Sequence, residues 1–346
     1  MLDIAIRICR IEQDTSTIAS EGCRDVATHG SLGVGERPLV AGRWAATVDH
    51  ANELLGRLLA DRWPRHLAER LLPASWLRTL RVWKFRWERR RYGERLVEHT
   101  YAGDPFKVVI ASSYGERYDR DWPELAEVTM LREGRLRPGA RVFDLGASYG
   151  VIAMMLASVV GPDGQVIALE AHPADFDLAQ RNRDLNRLWH LDCLHAAVAR
   201  TSGEVVFGLN GQIDDGRRKW GELRVPAWSI DDLSAKYGVP DVVFIDVEGF
   251  EHEALMGARE TLRAGPDWFV EVHSQELAHY GTDSYRQIVE CFDRRHYDLF
   301  AAPDELALLD GQILQSPTSF SPLEEVAPEI LDRRFFLIAR ARYWPA

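Results

Sequence analysis

The segment Arg141-Val-Phe-Asp-Leu-Gly-Ala-Ser-Tyr-Gly150, followed shortly by Gln165-Val-Ile-Ala-Leu-Glu170, constrains this chain more than any other. An apolar run closes on an acid, then glycines, and then Val151-Ile-Ala-Met-Met-Leu-Ala157; this pattern predicts strand, tight loop and buried helix. The turn Gly161-Pro-Asp-Gly164 opens a second strand that ends at Glu170. In an open parallel sheet, ligands lie outside the carboxyl ends of the strands, so Asp144 and Glu170 are expected on one crevice. Gly146 and Gly150 are expected to turn the backbone sharply and to admit a ligand where a Cβ would clash. A carboxylate placed like that of Glu170 can accept both hydroxyls of a ribose, and each such bond contributes roughly 1.5–3 kcal/mol.

A dinucleotide fits this loop poorly. The fingerprint G-x-G-x-x-G needs glycine where Ser148 and Val151 stand, and close approach of the backbone to a diphosphate would be hindered. Asp144 would also add negative charge beside two phosphates, whereas it suits an ammonium and a nearby sulfonium. The pattern points to S-adenosylmethionine, with Asp144, Gly146, Ala147, Ser148, Gly150, Glu170 and Asp246 as candidate contacts.

Lys and Arg number 42 against 53 Asp and Glu, a formal net charge of -11, which disfavours general nucleic-acid binding. Cys9, Cys23, Cys193 and Cys291 are scattered with no Cys-x-x-Cys pair, which suits a reducing, cytoplasmic setting and carries no zinc signature. The first ten residues hold Asp3, Arg7 and Arg10, a poor signal-peptide core, and the apolar run near Val151–Val160 is too short to span a membrane.

Residues 1–95 are read as a loosely ordered start followed by a helical accessory segment, and residues 96–346 as the catalytic α/β domain. Leu54, Leu55, Leu58 and Leu59 recur at helical spacing. A helix at 75–91 would carry Trp76, Leu80, Trp83 and Trp87 on one stripe amid many arginines. Packing on the domain with a solvated basic face explains it; peripheral contact with an anionic membrane, or a cradle for an acidic substrate, are the alternatives. Beyond it, strands are expected at 106–111, 141–145, 165–170, 192–197, 204–209, 241–246, 268–273, 297–301 and 334–340. Helices are expected at 122–135, 173–188, 251–262 and 285–295. Such alternation predicts a mostly parallel sheet with helices on both faces.

The strand Asp241-Val-Val-Phe-Ile-Asp246 runs into Val-Glu-Gly-Phe-Glu251, placing Asp246, Glu248 and Glu251 at the crevice edge. An acid in the first turn of a helix is favoured by its dipole, which accounts for Glu251. Asp246 can face the cofactor sulfonium or a substrate hydroxyl. On the next strand, alternation sends Glu271 and His273 to one face. That pair suits acid–base work on a hydroxyl, with His273 the first choice of base and Asp246 the second. A divalent metal held with Asp246, or a structural hydrogen bond, are the other readings of the same residues, and nothing in the spacing requires a metal.

Val142-Phe-Asp-Leu-Gly-Ala-Ser-Tyr-Gly150, Val166-Ile-Ala-Leu-Glu170, Ser229-Ile-Asp-Asp-Leu233, Phe244-Ile-Asp-Val-Glu-Gly-Phe-Glu251 with Leu255-x-Gly257-Ala258, and Glu271-Val-His273 resemble, in order, the motifs of the FkbM family of S-adenosylmethionine-dependent methyltransferases. The resemblance covers roughly residues 96–340. It implies a class I, Rossmann-like methyltransferase fold and O-methylation of a small-molecule or glycan hydroxyl on a sugar, polyketide or related natural product. It also implies cofactor contacts at the Gly146 loop and Glu170, with Asp246-Val-Glu248 beside the transferred methyl. Two positions depart from the family pattern: Ser148 stands where Asn is usual, and Ala171-His172-Pro173 follows Glu170. A catalytically silent binding protein of this fold, or an N-methyltransferase, is the alternative.

Overall fold

The computed structural model describes residues 92–208, 221–304, 306–309, 312–315 and 319–342. The chain divides into Met1–Arg62 and Trp63–Ala346, and every described residue lies in the second unit. The expected leucine-rich and Trp-rich helices lie outside the described residues.

β1 (Arg95–Tyr101) and β2 (Asp104–Ile110) form an antiparallel hairpin. Its turn residues Ala102 and Gly103 both take positive φ, as the twist of a two-residue hairpin favours. α1 (Ala126–Arg132) precedes β3 (Arg141–Leu145), α2 (Val151–Val160), β4 (Gln165–Glu170), α3 (Pro173–Leu185) and β5 (Leu191–His195). A three-stranded sheet then joins β6 (Ala197–Val198), β7 (Gly203–Gly208) and β8 (Gly221–Trp228). Next come α4 (Ile230–Tyr237), β9 (Val242–Ile245), α5 (Glu251–Met256), α6 (Arg259–Ala264), β10 (Asp267–His273), α7 (Arg286–Glu290) and β11 (Tyr297–Pro303). β12 (Leu306–Leu309) and β13 (Gln312–Gln315) make a hairpin, followed by β14 (Ser321–Pro322), α8 (Pro328–Leu331) and β15 (Arg334–Ala341).

The central sheet runs β14-β11-β15-β10-β9-β3-β4-β5. The strands from β10 to β5 are parallel, while β15 lies antiparallel between β10 and β11. The chain winds outward from β3 through β4 to β5, then returns to the other side of β3 with β9 and β10. The switch in winding therefore falls between β3 and β9, where such sheets open a ligand crevice at the strands' carboxyl ends.

Alternation along the strands feeds two apolar cores. Val142, Ala168 and Phe244 pack with Met154 and Leu156 of α2 and Leu178 of α3. Phe143, Ile167 and Val243 face the opposite side, against Ile230 and Leu233 of α4 and Ala254 and Leu255 of α5. Helices thus cover both faces, as the sequence predicts, and no described helix is long and apolar enough to cross a membrane.

Several expected boundaries are corrected. The helix expected from Trp122 begins only at Ala126, because Trp122 instead forms a parallel bridge with Tyr101. The helix expected over 251–262 breaks into α5 and α6: Gly257 packs so tightly on Ala199 and Arg200 that a Cβ there would meet their carbonyl oxygens. The helix expected to Leu188 ends at Leu185, just before Arg187 takes a positive φ. The helix expected over 285–295 shrinks to α7, with Asp293 accepting the Arg295 N–H at 2.9 Å. The expected strand at 192–197 divides at Ala196 into β5 and β6. β1, β8, α4 and the β12–β13 hairpin are additions; α4 is capped by Ser229, whose Oγ accepts the Asp232 N–H at 3.1 Å.

Candidate functional site

The loop after β3 is bound to both neighbouring strands. The N–H groups of Gly146 and Ala147 donate to the Leu169 carbonyl at 3.0 and 2.9 Å, and the Asp246 N–H donates to Leu145 at 3.0 Å. Gly146 has φ 104° and a Cβ there would fall onto the Asp246 carbonyl oxygen. Glycine is thus required by a neighbouring strand end, where the sequence suggests room for a ligand. Gly150 caps α2 in the left-handed region and lies against Ala179. Ser148 also takes a positive φ, 50°, a conformation that Asn adopts more readily than Ser.

Glu170, at the end of β4, holds this loop from the other side. Its Oε2 accepts the Ser148 N–H at 2.7 Å and its Oε1 accepts the His172 N–H at 2.6 Å. A carboxylate offers about four lone-pair sites, so two remain for further donors. Burial pushes the Glu170 pKa up to about 8 against these hydrogen bonds. Burial, then the charge of Asp246, pushes Asp144 up to about 7. Asp144 is 6% exposed, and its Oδ2 is buried without a hydrogen-bond partner.

The other end of the crevice is built from β9, β10 and the turn into α5. Asp246 and Glu248 follow β9, and Glu248 takes a positive φ of 53°. Nε2 of His273 lies 3.9 Å from Asp246 Oδ1, 3.5 Å from Glu248 Oε2 and 3.5 Å from Glu271 Oε1. Nδ1 of His273 lies 2.7 Å from Glu251 Oε1, which also accepts the Gly249 N–H at 2.8 Å. Arg334 of β15 contacts Glu271 Oε1 at 3.0 Å and Asp304 at 2.7 Å.

Burial alone would lower the His273 pKa, but the bond to Glu251 and the charges of Glu251, Asp246 and Glu271 raise it to about 10. Asp246 keeps 46% of its side-chain surface open, yet desolvation in the crevice and the charge of Glu271 hold its pKa well above the usual carboxylate range. Burial likewise raises Glu271, with His273 and Arg334 opposing. Among the described residues, Asp246, Glu271 and His273 each offer one ligand atom, all within 4.8 Å of one another.

The structure thus brings the sequence-selected Asp144, Gly146, Ala147, Ser148, Gly150 and Glu170 together around the β3 loop, and Asp246, Glu248 and His273 beside it. Glu251 is more than a helix-end acid, because it also bonds His273. The other unforeseen feature is aromatic. Tyr114 stands beside Tyr149 of the loop, with ring centroids 6.1 Å apart, and Arg117 lies over the Tyr114 ring at 3.8 Å. The closely spaced tyrosines of Ser113-Tyr-Gly-Glu-Arg-Tyr118 are the sequence signal for it.

A sheet wound in this order, with its crevice at the β3–β9 switch, is a class I methyltransferase-like fold. Residues 144–299 match the model of the methyltransferase FkbM domain, and S-adenosylmethionine is the cofactor which that similarity implies. The crevice fits that cofactor: the orphaned Asp144 oxygen and the spare lone pairs of Glu170 call for hydroxyl and cationic donors.

Similar solved structures include methyltransferase FkbM from Methylobacillus flagellatus KT, 16% identical, TM-score 0.36, covering 58% of this chain and 43% of that one. Another is precorrin-6y C5,15-methyltransferase from Geobacter metallireducens GS-15, 14% identical, TM-score 0.35, covering 62% and 86%. A third is an S-adenosylmethionine-dependent O-methyltransferase from Thermotoga maritima, 11% identical, TM-score 0.36, covering 73% and 79%. The chain thus spans less than half the length of the first of these proteins.

Proposed function

We propose that this protein transfers a methyl group from S-adenosylmethionine to a hydroxyl oxygen of a sugar, polyketide or related natural product. The observation that carries this reading is the position of Asp246, Glu248 and His273. They sit at the mouth of the same crevice as the Gly146 loop, with an imidazole nitrogen turned toward the carboxylates. In this reading Asp144, Glu170 and the backbone of residues 146–150 hold the cofactor, which supplies a methyl group already activated on a sulfonium.

The chain's own contribution is then alignment and proton management. Holding donor and acceptor in line accounts for roughly 7–11 kcal/mol in favourable cases, and a positioned base for about 10²–10⁴-fold. The acceptor oxygen gains the methyl carbon and gives its proton to the Asp246–His273 pair. His273 can take that proton only in the state that has lost its own extra proton. While His273 is imidazolium, Asp246, whose side chain is open to the crevice, is the remaining group placed to accept it.

The test is incubation of the full chain with deuterated-methyl cofactor and a pool of hydroxylated metabolites, followed by mass spectrometry and linkage analysis. A label on oxygen is expected, with turnover sharply reduced in His273→Ala and Asp246→Asn. A label on nitrogen, no transfer at all despite binding of S-adenosylhomocysteine, or normal turnover in both variants would overturn it.

A further inference from the structure

The geometry points to a divalent-cation site formed by Asp246, Glu271 and His273, of a kind that a first-row ion such as manganese would occupy. An acidic cluster alone would not establish this, since exposed acids commonly gather without an ion. The independent observation is His273. Its side chain is 6% exposed, and its Nε2 is buried without a hydrogen-bond partner while directed at the Asp246 and Glu271 carboxylates. A buried imidazole nitrogen left in this way lacks a partner that a cation would provide.

The surroundings match a metal-binding histidine in a second respect. An imidazole that ligates through one nitrogen commonly presents its other nitrogen, as N–H, to a carboxylate, which fixes the ring and its tautomer. Glu251 stands 2.7 Å from Nδ1, is fully buried, and is itself anchored by the Gly249 N–H. The free nitrogen is therefore Nε2, the one that faces the two carboxylates. One imidazole and two carboxylates suit manganese-class ions better than soft, thiolate-seeking ones.

Arg334 is the competing cation, since it already contacts Glu271 Oε1. Its hold is divided with Asp304, and a carboxylate has about four lone-pair sites, so this contact does not exhaust Glu271. Four carboxyl groups, those of Asp246, Glu248, Glu251 and Glu271, lie within 3.9 Å of the single imidazole, so Arg334 is shared among more oxygen ligands than it can satisfy.

The site does not depend on the methyl-transfer reading. Where both hold, cation and proton compete for Nε2, and an acceptor oxygen would be positioned against the cation. The test uses the full-length protein, stripped with chelator and without cofactor or acceptor. Manganese is titrated under electron paramagnetic resonance, and pulsed measurements read nitrogen coupling.

One saturable site with imidazole nitrogen coupling is expected. Affinity should fall at least about tenfold in Glu271→Gln, and about 10–100-fold in Glu251→Gln, where the ligand's support is weakened. Retained binding of S-adenosylhomocysteine would show that the variants are folded. No saturable binding to wild type, binding without nitrogen coupling, or unchanged affinity in folded Glu271→Gln would overturn the proposal. Because the readout needs no turnover, its failure leaves methyl transfer standing, and a failed methyl transfer leaves the cation site standing.

Discussion

His273 and Glu251, 22 residues apart, are joined inside the protein by a 2.7 Å contact between Nδ1 and Oε1, with Glu251 fully buried. The contact ties β10 to the first turn of α5, so it fixes both the ring plane and the turn that carries Asp246 and Glu248. Removing one member of a buried, charged pair leaves the other uncompensated, which costs on the order of 3–5 kcal/mol. Glu251→Ala is expected to lose stability of that order in denaturant titration, and Glu251→Gln about 1–3 kcal/mol because a hydrogen-bonding oxygen remains. An alanine variant as stable as wild type would show that the contact contributes little.

Gly146 tests how closely the β3 loop and the end of β9 are fitted. An added Cβ would fall on the Asp246 carbonyl oxygen, at a backbone conformation that L side chains seldom adopt. The main chain itself would have to move. Gly146→Ala is expected to cost about 2–4 kcal/mol, combining strain with displacement of the β9 end. It should also weaken S-adenosylhomocysteine binding in calorimetry more than the lost stability alone would. Gly161→Ala makes the comparison, since its positive φ carries the strain but nothing lies within 4 Å of an added Cβ.

The β1–β2 hairpin is held to the domain by its apolar packing, by Asn186, which accepts the Lys107 N–H at 2.9 Å, and by the fully buried Asn182. Asn182 of α3 accepts the Val109 N–H at 2.8 Å and donates to the Tyr149 carbonyl at 2.9 Å. Replacing it with alanine leaves a buried N–H and a buried C=O without their partner, each costing about 1–3 kcal/mol. Asn182→Ala is expected to lower the melting temperature and to raise amide exchange at Val109 ahead of exchange in β3. Exchange unchanged at Val109 would mean that the hairpin is held by other contacts.

Much of this architecture is legible in the sequence where the cause is local. The apolar run of β3, its terminal acid and its glycines lie side by side, so Asp144, Gly146 and Glu170 can be placed from pattern alone. Glu271 and His273 are legible for the same reason, through strand alternation. The Glu251–His273 contact is not, because a first-turn acid already has a sufficient local explanation and its partner lies on another strand. β1 escapes notice because most of its residues keep some exposure, so Arg95-Leu-Val-Glu-His-Thr-Tyr101 shows little apolar demand. The break between α5 and α6 depends on the carbonyls of residues 199 and 200, which helical periodicity does not reveal.

Cofactor binding should depend on pH through Asp144 and Glu170. Both have folded-state pKa values raised above the unfolded ones, to about 7 and about 8, chiefly by burial. An acid of this kind holds its proton longer in the folded state, so the folded protein carries more protons than the unfolded chain between about pH 4 and pH 8. The contribution of these two groups to the stability of the free protein is therefore expected to decline across that window and to level off above it. Ribose hydroxyls and a sulfonium favour the ionised carboxylates, so binding at neutral pH should expel protons. Affinity for S-adenosylmethionine should rise between about pH 6 and pH 7.5, by at most about tenfold per pH unit for each proton released. Calorimetry in two buffers of different ionisation enthalpy counts those protons directly. Glu170→Gln should bind weakly and lose part of the proton release. Affinity that is flat or falls with pH, or binding without proton release in wild type, would place these two carboxyls outside the cofactor's reach.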